Sequence, residues 1–178
     1  QSLFFQMNLI DSHDTPRLHN NRGIVTENRY LDALIVLYLL PGMPNVYYGD
    51  EIWLDGELGT VEASRYPMNW DPSAWNMNIL NMHRVLGKIR KESWLGFSSY
   101  DIAALDEDAF ALIRFSEGKA IVGIVNRGEK RCLELDVSFL PKKTINVLMG
   151  KGNAVLKGNA IELILEDEQN YFIHEAFN

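Results

Sequence analysis

The hydrophobic rhythm of this chain changes near residue 95. Up to that point apolar residues fall in short continuous runs or at helical spacing; beyond it they alternate with polar ones. Leu3-Phe4-Phe5-Gln6-Met7-Asn8-Leu9-Ile10 is nearly unbroken, the pattern of a parallel strand covered on both faces. A polar loop follows, from Asp11 to about Thr26. Glu27 to Leu40 predicts a helix, with Thr26 as its N-cap and Tyr30, Ala33, Leu34, Leu37 and Tyr38 on its inner side. Pro41-Gly42 ends it, glycine tolerating the left-handed turn. Pro44 to Tyr48 predicts a second strand that runs into Gly49-Asp50-Glu51. After an irregular stretch to about Asp71, Ser73 to about Ser93 predicts a second helix with Leu80, Val85 and Ile89 inward. Strand-helix-strand-helix in this order is the signature of βα units from a parallel sheet or barrel.

Past Trp94-Leu95-Gly96 the period becomes two. Residues 109–115 and 120–126 flank a Ser-Glu-Gly turn, 133–137 alternate cleanly, and 145–148, 160–165 and 171–174 continue the series. Short strands separated by glycine-containing turns predict an antiparallel β-sandwich. The expected organisation is therefore an α/β part over 1–96 and an all-β part over 97–178.

Composition narrows the partners. The 178 residues are 47% hydrophobic and 23% charged, enough apolar material for a real core. A net charge of −7 with no basic run argues against nucleic acid or an anionic membrane surface. The apolar run from Ala33 to Leu40 is too short to span a bilayer. The single cysteine, Cys132, excludes an internal disulfide and a cysteine-based zinc cluster, and is compatible with a reducing compartment.

Three groups of residues can carry chemistry. His13 and Asp14 follow directly on an apolar strand, where parallel βα folds place their working residues. A carboxylate there accepts strong hydrogen bonds from hydroxyls, and an imidazole can donate to a sugar oxygen. The plain alternative is a polar loop in which Asp14 caps Thr15-Pro16. Asp50 and Glu51 end the second strand; they can divide acid and base roles, but holding backbone amides is the favoured reading. Tyr47, Tyr48, Trp53, Trp70 and Trp75 cluster in the same stretch; each alone suits core packing, and together they suit sugar stacking. Ser12-His13-Asp14 cannot form a relay triad, being sequence neighbours.

Together these segments resemble the α-amylase superfamily of glycoside hydrolases. Asn8-Leu9-Ile10-Asp11-Ser12-His13-Asp14-Thr15-Pro16-Arg17 is similar to that family's motif at barrel strand seven. Pro41 to Glu51 is similar to its strand-eight motif, and Arg65-Tyr66-Pro67-Met68-Asn69-Trp70-Asp71 to the segment after it. The Asp-Ser-His-Asp-Thr form resembles the neopullulanase and cyclomaltodextrinase branch. The resemblance implies the last two βα units of a (β/α)8 barrel followed by a C-terminal β-sandwich, acting on an α-glucan or malto-oligosaccharide by the retaining mechanism. Some members of that family bind calcium, but no ligand cluster in this sequence supports it, so no cofactor and no metal are expected. It implies that Asp14 is the transition-state-stabilising Asp, that His13 binds substrate at the same subsite, and that Arg17 and Arg65 are further substrate contacts. Val61 falls where an acidic partner for Arg65 is expected. The nucleophile and general-acid motifs do not occur in these residues, so the expectation is a C-terminal part of a larger hydrolase, inactive alone. Two other readings compete: a non-catalytic carbohydrate-binding or accessory β-sandwich module, and an assembly role in which exposed barrel edges make a homodimer.

Overall fold

Thr26 starts the first helix as its sequence position requires: its side chain accepts a hydrogen bond from the Arg29 backbone N–H, 3.3 Å away, and α1 runs over Glu27–Leu39. The computed structural model describes residues 2–20, 25–56, 62–139, 144–150, 152–165 and 170–177. The chain divides into two compact units, Gln1–Gly87 and Lys88–Asn178.

In the first unit, β1 (Met7–Asn8) pairs in parallel with β2 (Met43–Pro44), and α1 lies between them in the chain. Gly42 makes this pairing sterically feasible. It sits at φ 105, and a Cβ on it would stand 2.6 Å from the Gln6 carbonyl oxygen. The second helix, α2, spans Met77–Arg90. It begins four residues later than the apolar spacing suggests. Asp71 caps a separate 3-10 turn over Pro72–Ala74, and Asn76 then takes the backbone N–H groups of Asn78 and Ile79. Two cap-forming residues compete in this stretch, and the later one starts the helix. Glu27 accepts from the side-chain amides of Asn76 and Asn78, at 2.8 and 3.0 Å, which ties the start of α1 to the start of α2. Tyr30, Leu34 and Ile35 of α1 and Ile79, Met82 and Leu86 of α2 are all sealed from solvent. Each such burial is worth about 1.5–3 kcal/mol.

The run Leu3–Ile10 departs from its expected form. Ser2–Phe5 is a 3-10 turn, the strand is two residues long, and Phe5, Met7 and Leu9 are 81%, 55% and 46% exposed. A continuous apolar strand is covered only when neighbours lie on both sides, and β2 is its one strand partner among the described residues. Pro44–Tyr48 is likewise irregular after Pro44 rather than strand, and the Asp50 carboxylate takes the Tyr47 N–H that a strand partner would otherwise take.

Among the described residues the second unit holds eight antiparallel strands: β3 (Ser99–Ala104), β4 (Ala109–Ser116), β5 (Lys119–Asn126), β6 (Arg131–Asp136), β7 (Thr144–Gly150), β8 (Gly152–Lys157), β9 (Ala160–Leu165) and β10 (Asn170–Phe177). One sheet has the order β3-β4-β5-β10-β7 and the other β6-β9-β8. Their facing sides share one core, in which Ala111, Ile113, Val122 and Ile124 of the larger sheet meet Leu135, Ile161, Leu163 and Leu165 of the smaller. Gly118, at φ 74, makes the tight turn between β4 and β5. The sequence pattern misses β3 and β8. Both lie at sheet edges with mostly exposed side chains, so neither carries a strong apolar alternation. Arg114 is buried in β4 and donates to Ser98 Oγ and the Leu95 carbonyl, fastening the 3-10 turn Ser93–Phe97 to the sheet.

Candidate functional site

The loop that follows β1 is built on a buried arginine. Arg17 is 1% exposed, and its guanidinium reaches two separate stretches of chain. Nη1 lies 3.0 Å from Asp50 Oδ1, while Nη2 donates to the Tyr48 carbonyl at 2.8 Å and the Ser64 carbonyl at 3.2 Å. Its cationic carbon also stands 5.0 and 5.3 Å from the ring centres of Tyr47 and Tyr48. Gly49 takes φ 88, and a Cβ there would press to 3.2 Å from Arg17 Nη2 and 2.6 Å from Leu54. Glycine is thus required for the close approach of this turn to the arginine.

Two carboxyl groups complete the buried layer. Asp11, 2% exposed, accepts from the Leu18 N–H at 2.7 Å. Asp50, 1% exposed, accepts from the Tyr47 N–H at 3.1 Å, and Glu51 accepts from the Gly49 N–H at 2.9 Å. Asp50 and Glu51 both hold backbone amides, the reading favoured from sequence. Burial, reinforced by the charge and hydrogen bond of Asp11, pushes the Asp50 carboxyl up to about 8, with Arg17 opposing. Burial raises Asp11 as well. The two carboxyls share one buried layer, and the Arg17 guanidinium favours the charged form of both.

Above this layer the side chains face solvent. His13 Nε2 lies 3.1 Å from Asp14 Oδ2, and Arg65 Nη2 lies 3.3 Å from Asp14 Oδ1. Arg65 Nε donates to the His13 carbonyl at 2.9 Å, and Ser64 Oγ donates to the same oxygen at 3.4 Å. Ser12 Oγ accepts from the Asp14 N–H and pairs with Thr15 Oγ1, shaping the tight loop. The side chains of His13, Asp14 and Arg65 are 65%, 69% and 51% exposed. His13, Asp14 and Arg65 therefore converge at one exposed tip, while Arg17 lies buried and engaged within the fold. A carboxylate set between an imidazole and a guanidinium is a hydrogen-bond acceptor fixed in direction and open to a hydroxylated ligand. Val61 lies outside the described residues.

Asp11 and Ser64 were not singled out from sequence. Asp11 was legible as an acid opening the same loop; Ser64 contributes a backbone oxygen to Arg17, which no sequence signal marks. Among the described residues, no group of three or more His, Cys, Asp or Glu side chains is placed to hold a metal ion. No helix among them is long and apolar enough to cross a membrane.

No family model matches the chain. It is 30% identical over 167 residues to a maltogenic α-amylase of Bacillus acidopullulyticus, covering 90% of this chain and 28% of that protein. It is 32% identical over 126 residues to a cyclomaltodextrinase of Thermoanaerobacter pseudethanolicus, covering 70% of this chain and 21% of that protein. The structure of a debranching enzyme from Nostoc punctiforme superposes with a TM-score of 0.80 at 25% identity, over 96% of this chain and 35% of that one. The chain spans roughly a quarter of the length of the curated relatives it matches. Among the described residues it is mostly β-sheet with two α-helices, matching the C-terminal β-sandwich region of α-amylase-family enzymes. The chain is a homologue of the C-terminal part of maltogenic amylases, cyclomaltodextrinases and neopullulanases, and its structural neighbours are α-amylase-family enzymes.

Proposed function

We propose that this chain supplies one corner of the active site of a retaining α-glucan hydrolase, with Asp14 as the carboxylate that stabilises the transition state. The observation that carries the reading is the placement of Asp14 itself: exposed, between His13 and Arg65, on a loop anchored from below by Arg17. In this reading β1-α1-β2-α2 are the last two βα units of a (β/α)8 barrel within 1–96, and 97–178 form the C-terminal β-sandwich domain. The site residues then lie after the C-terminal ends of β1 and β2, the working face of such barrels. Asp14 accepts hydrogen bonds from hydroxyls of the distorted sugar, His13 donates to the same unit, Arg65 orients Asp14 and meets substrate, and Arg17 sets the loop that presents them. The substrate class is an α-glucan or malto-oligosaccharide.

Retaining hydrolysis needs two further carboxyl groups about 5–5.5 Å apart flanking the scissile bond, one as nucleophile and one as acid. Asp50 and Glu51 do not fill these roles, being committed to Arg17 and backbone amides. By itself the 178-residue chain is therefore proposed to be inactive. Reducing-end release from cyclodextrin, pullulan and starch tests both halves. The chain alone should release nothing. In a full-length protein carrying this sequence, Asp14→Asn should lower turnover by roughly 10²–10³ or more, as loss of a preorganised charge partner does. Near-normal turnover in that variant would overturn the assignment.

The apolar side chains Leu3, Phe4, Phe5, Met7, Leu9 and Met43 support a second element of the proposal. They border the paired edge of β1 and β2, and in the isolated chain we infer that a second copy covers them, giving a homodimer through the barrel edge.

A further inference from the structure

Trp53 is a tryptophan in a backbone conformation that favours glycine. Its φ is 62 and its ψ 45, and among the described residues it is the one non-glycine residue with positive φ. A bulky side chain in the left-handed region costs free energy that glycine would avoid, and such strain concentrates where a ligand is held. The ring is braced from inside the first unit. It stacks on His19 with centroids 4.3 Å apart at 29°, and makes a T-shaped contact with Tyr30 at 5.0 Å and 72°. The His19 side chain is 3% exposed and lacks a well-formed hydrogen bond on either ring nitrogen; the carboxylate oxygen Asp55 Oδ1 stands 3.8 Å from Nε2. The brace on the Trp53 ring is aromatic packing.

Trp53 lines an open cavity of about 440 Å³ together with Leu54, Asp55, Tyr66, Pro67 and Asn69. That volume is within the usual range of small-molecule sites. Two aromatic side chains and a proline make apolar walls. Asp55, 84% exposed, brings a carboxylate. Asn69 brings a side-chain amide whose oxygen is already held by the Asp71 N–H, so its NH₂ group is oriented as a donor. Among the described residues, no lysine or arginine lines the cavity, which disfavours anionic ligands. The Trp75 indole and the Tyr48 hydroxyl donate to the Asn69 and Tyr66 carbonyls, at 2.9 and 2.8 Å, and so fix the backbone of two wall residues. Tyr66 follows Arg65, the partner of Asp14, so the cavity wall continues the chain segment of the candidate site. Apolar faces with a carboxylate and an amide beside them match a neutral pyranose, whose C–H faces stack on aromatic rings and whose hydroxyls pair with the polar groups.

We propose that this cavity is a second saccharide subsite, with Trp53 as its stacking platform, taking one glucose unit of an α-glucan. The assignment rests on the α-glucan reading above and extends it to a unit away from Asp14. The strained backbone is retained because it presents this ring to the cavity.

The test is an NMR titration of the full 178-residue chain with maltotriose and, in parallel, cellotriose. Maltotriose should shift the Trp53 indole and the Asn69 side-chain amide, and cellotriose should shift them much less. Trp53→Gly suits the positive φ and should stay folded by its amide spectrum, yet weaken maltotriose binding by at least about tenfold, the loss of one aromatic contact. Asp14→Asn should leave the Trp53 and Asn69 shifts in place. Shifts confined to His13, Asp14 and Arg65 that persist in Trp53→Gly would overturn the subsite and leave the α-glucan reading standing. An equal response to cellotriose would overturn the α-linked assignment. No response to either sugar at millimolar concentration would overturn the subsite, and the α-glucan reading is then judged separately by turnover of the full-length Asp14→Asn protein.

Discussion

Arg17 Nη1 and Asp50 Oδ1 stand 3.0 Å apart with both side chains sealed from water, 33 residues apart in sequence. With the Arg17 Nη2 bond to the Tyr48 carbonyl, this contact holds the loop bearing His13 and Asp14 to the turn after β2. Arg17→Met removes it and leaves a buried acid pair without its cation. We expect a loss of about 3–5 kcal/mol of stability, the range for breaking a buried ion pair. Urea denaturation followed through the first unit checks this; a change below 1 kcal/mol would mean that the arginine is dispensable.

The same layer should give the protein a distinctive pH dependence. The Asp50 carboxyl is raised from 3.8 to about 8 in the fold. A group raised in this way contributes stability that is complete below pH 3.8 and lost as pH climbs through about 8. The stability difference between the unmodified protein and Asp50→Asn should therefore shrink or reverse against the unmodified protein over that window. Parallel denaturation curves across it would show that Asp50 is charged throughout.

The opposite sign is expected at His83. Its Nδ1 pairs with the Tyr38 hydroxyl at 2.9 Å, and burial pushes the imidazole down from 6.5 to about 4. Stability from a neutral buried histidine is present above pH 6.5 and lost as pH falls through about 4. His83→Gln keeps a polar partner for Tyr38 without the titration. Its acid limb, measured by thermal melts between these two pH values, should be flatter than that of the unmodified protein.

Self-association should depend on the apolar side chains around β1 and β2. Phe5 and Met43 are 81% and 56% exposed, so Phe5→Glu and Met43→Lys should change stability by no more than about 0.5 kcal/mol. Sedimentation velocity should show a dimer for the isolated chain and a monomer for the double variant. A monomer for both would remove the dimer proposal.

In the sandwich, the alternation along β9 separates core from surface. Leu163 is fully buried and Ile164 half-buried. Leu163→Ala should cost about 2–5 kcal/mol, and Ile164→Ala clearly less. Comparable losses would mean that the strand is buried on both faces.

Much of this architecture was legible because its causes are local. The α1 helix carries its own cap in Thr26 and its own stop in Pro41-Gly42, and the structure keeps both ends within a residue. The strands β4, β5 and β9 carry enough apolar residues to announce themselves. Elements with weaker local signals were misread. The edge strands β3 and β8 bury little, and α2 starts at Met77 because Asn76 outcompetes the earlier cap at Asp71. Leu3–Ile10 carries the pattern of a covered strand yet stands largely exposed, since pattern records what a segment can bury and coverage depends on its neighbours.

The candidate site divides the same way. The sequence by itself determined the chemistry on offer: His13 and Asp14 on a loop after an apolar strand, Arg17 in the same loop, two acids after the second run, and an arginine further on. Tertiary structure alone decided what each does. It buried Arg17 against Asp50, set Asp11 and Asp50 in one buried layer, and brought Arg65 to Asp14 across 51 residues of chain. The physical reason is desolvation. Whether a charge is an exposed ligand contact or an internal anchor depends on which distant segments exclude water from it, and local sequence does not specify those segments.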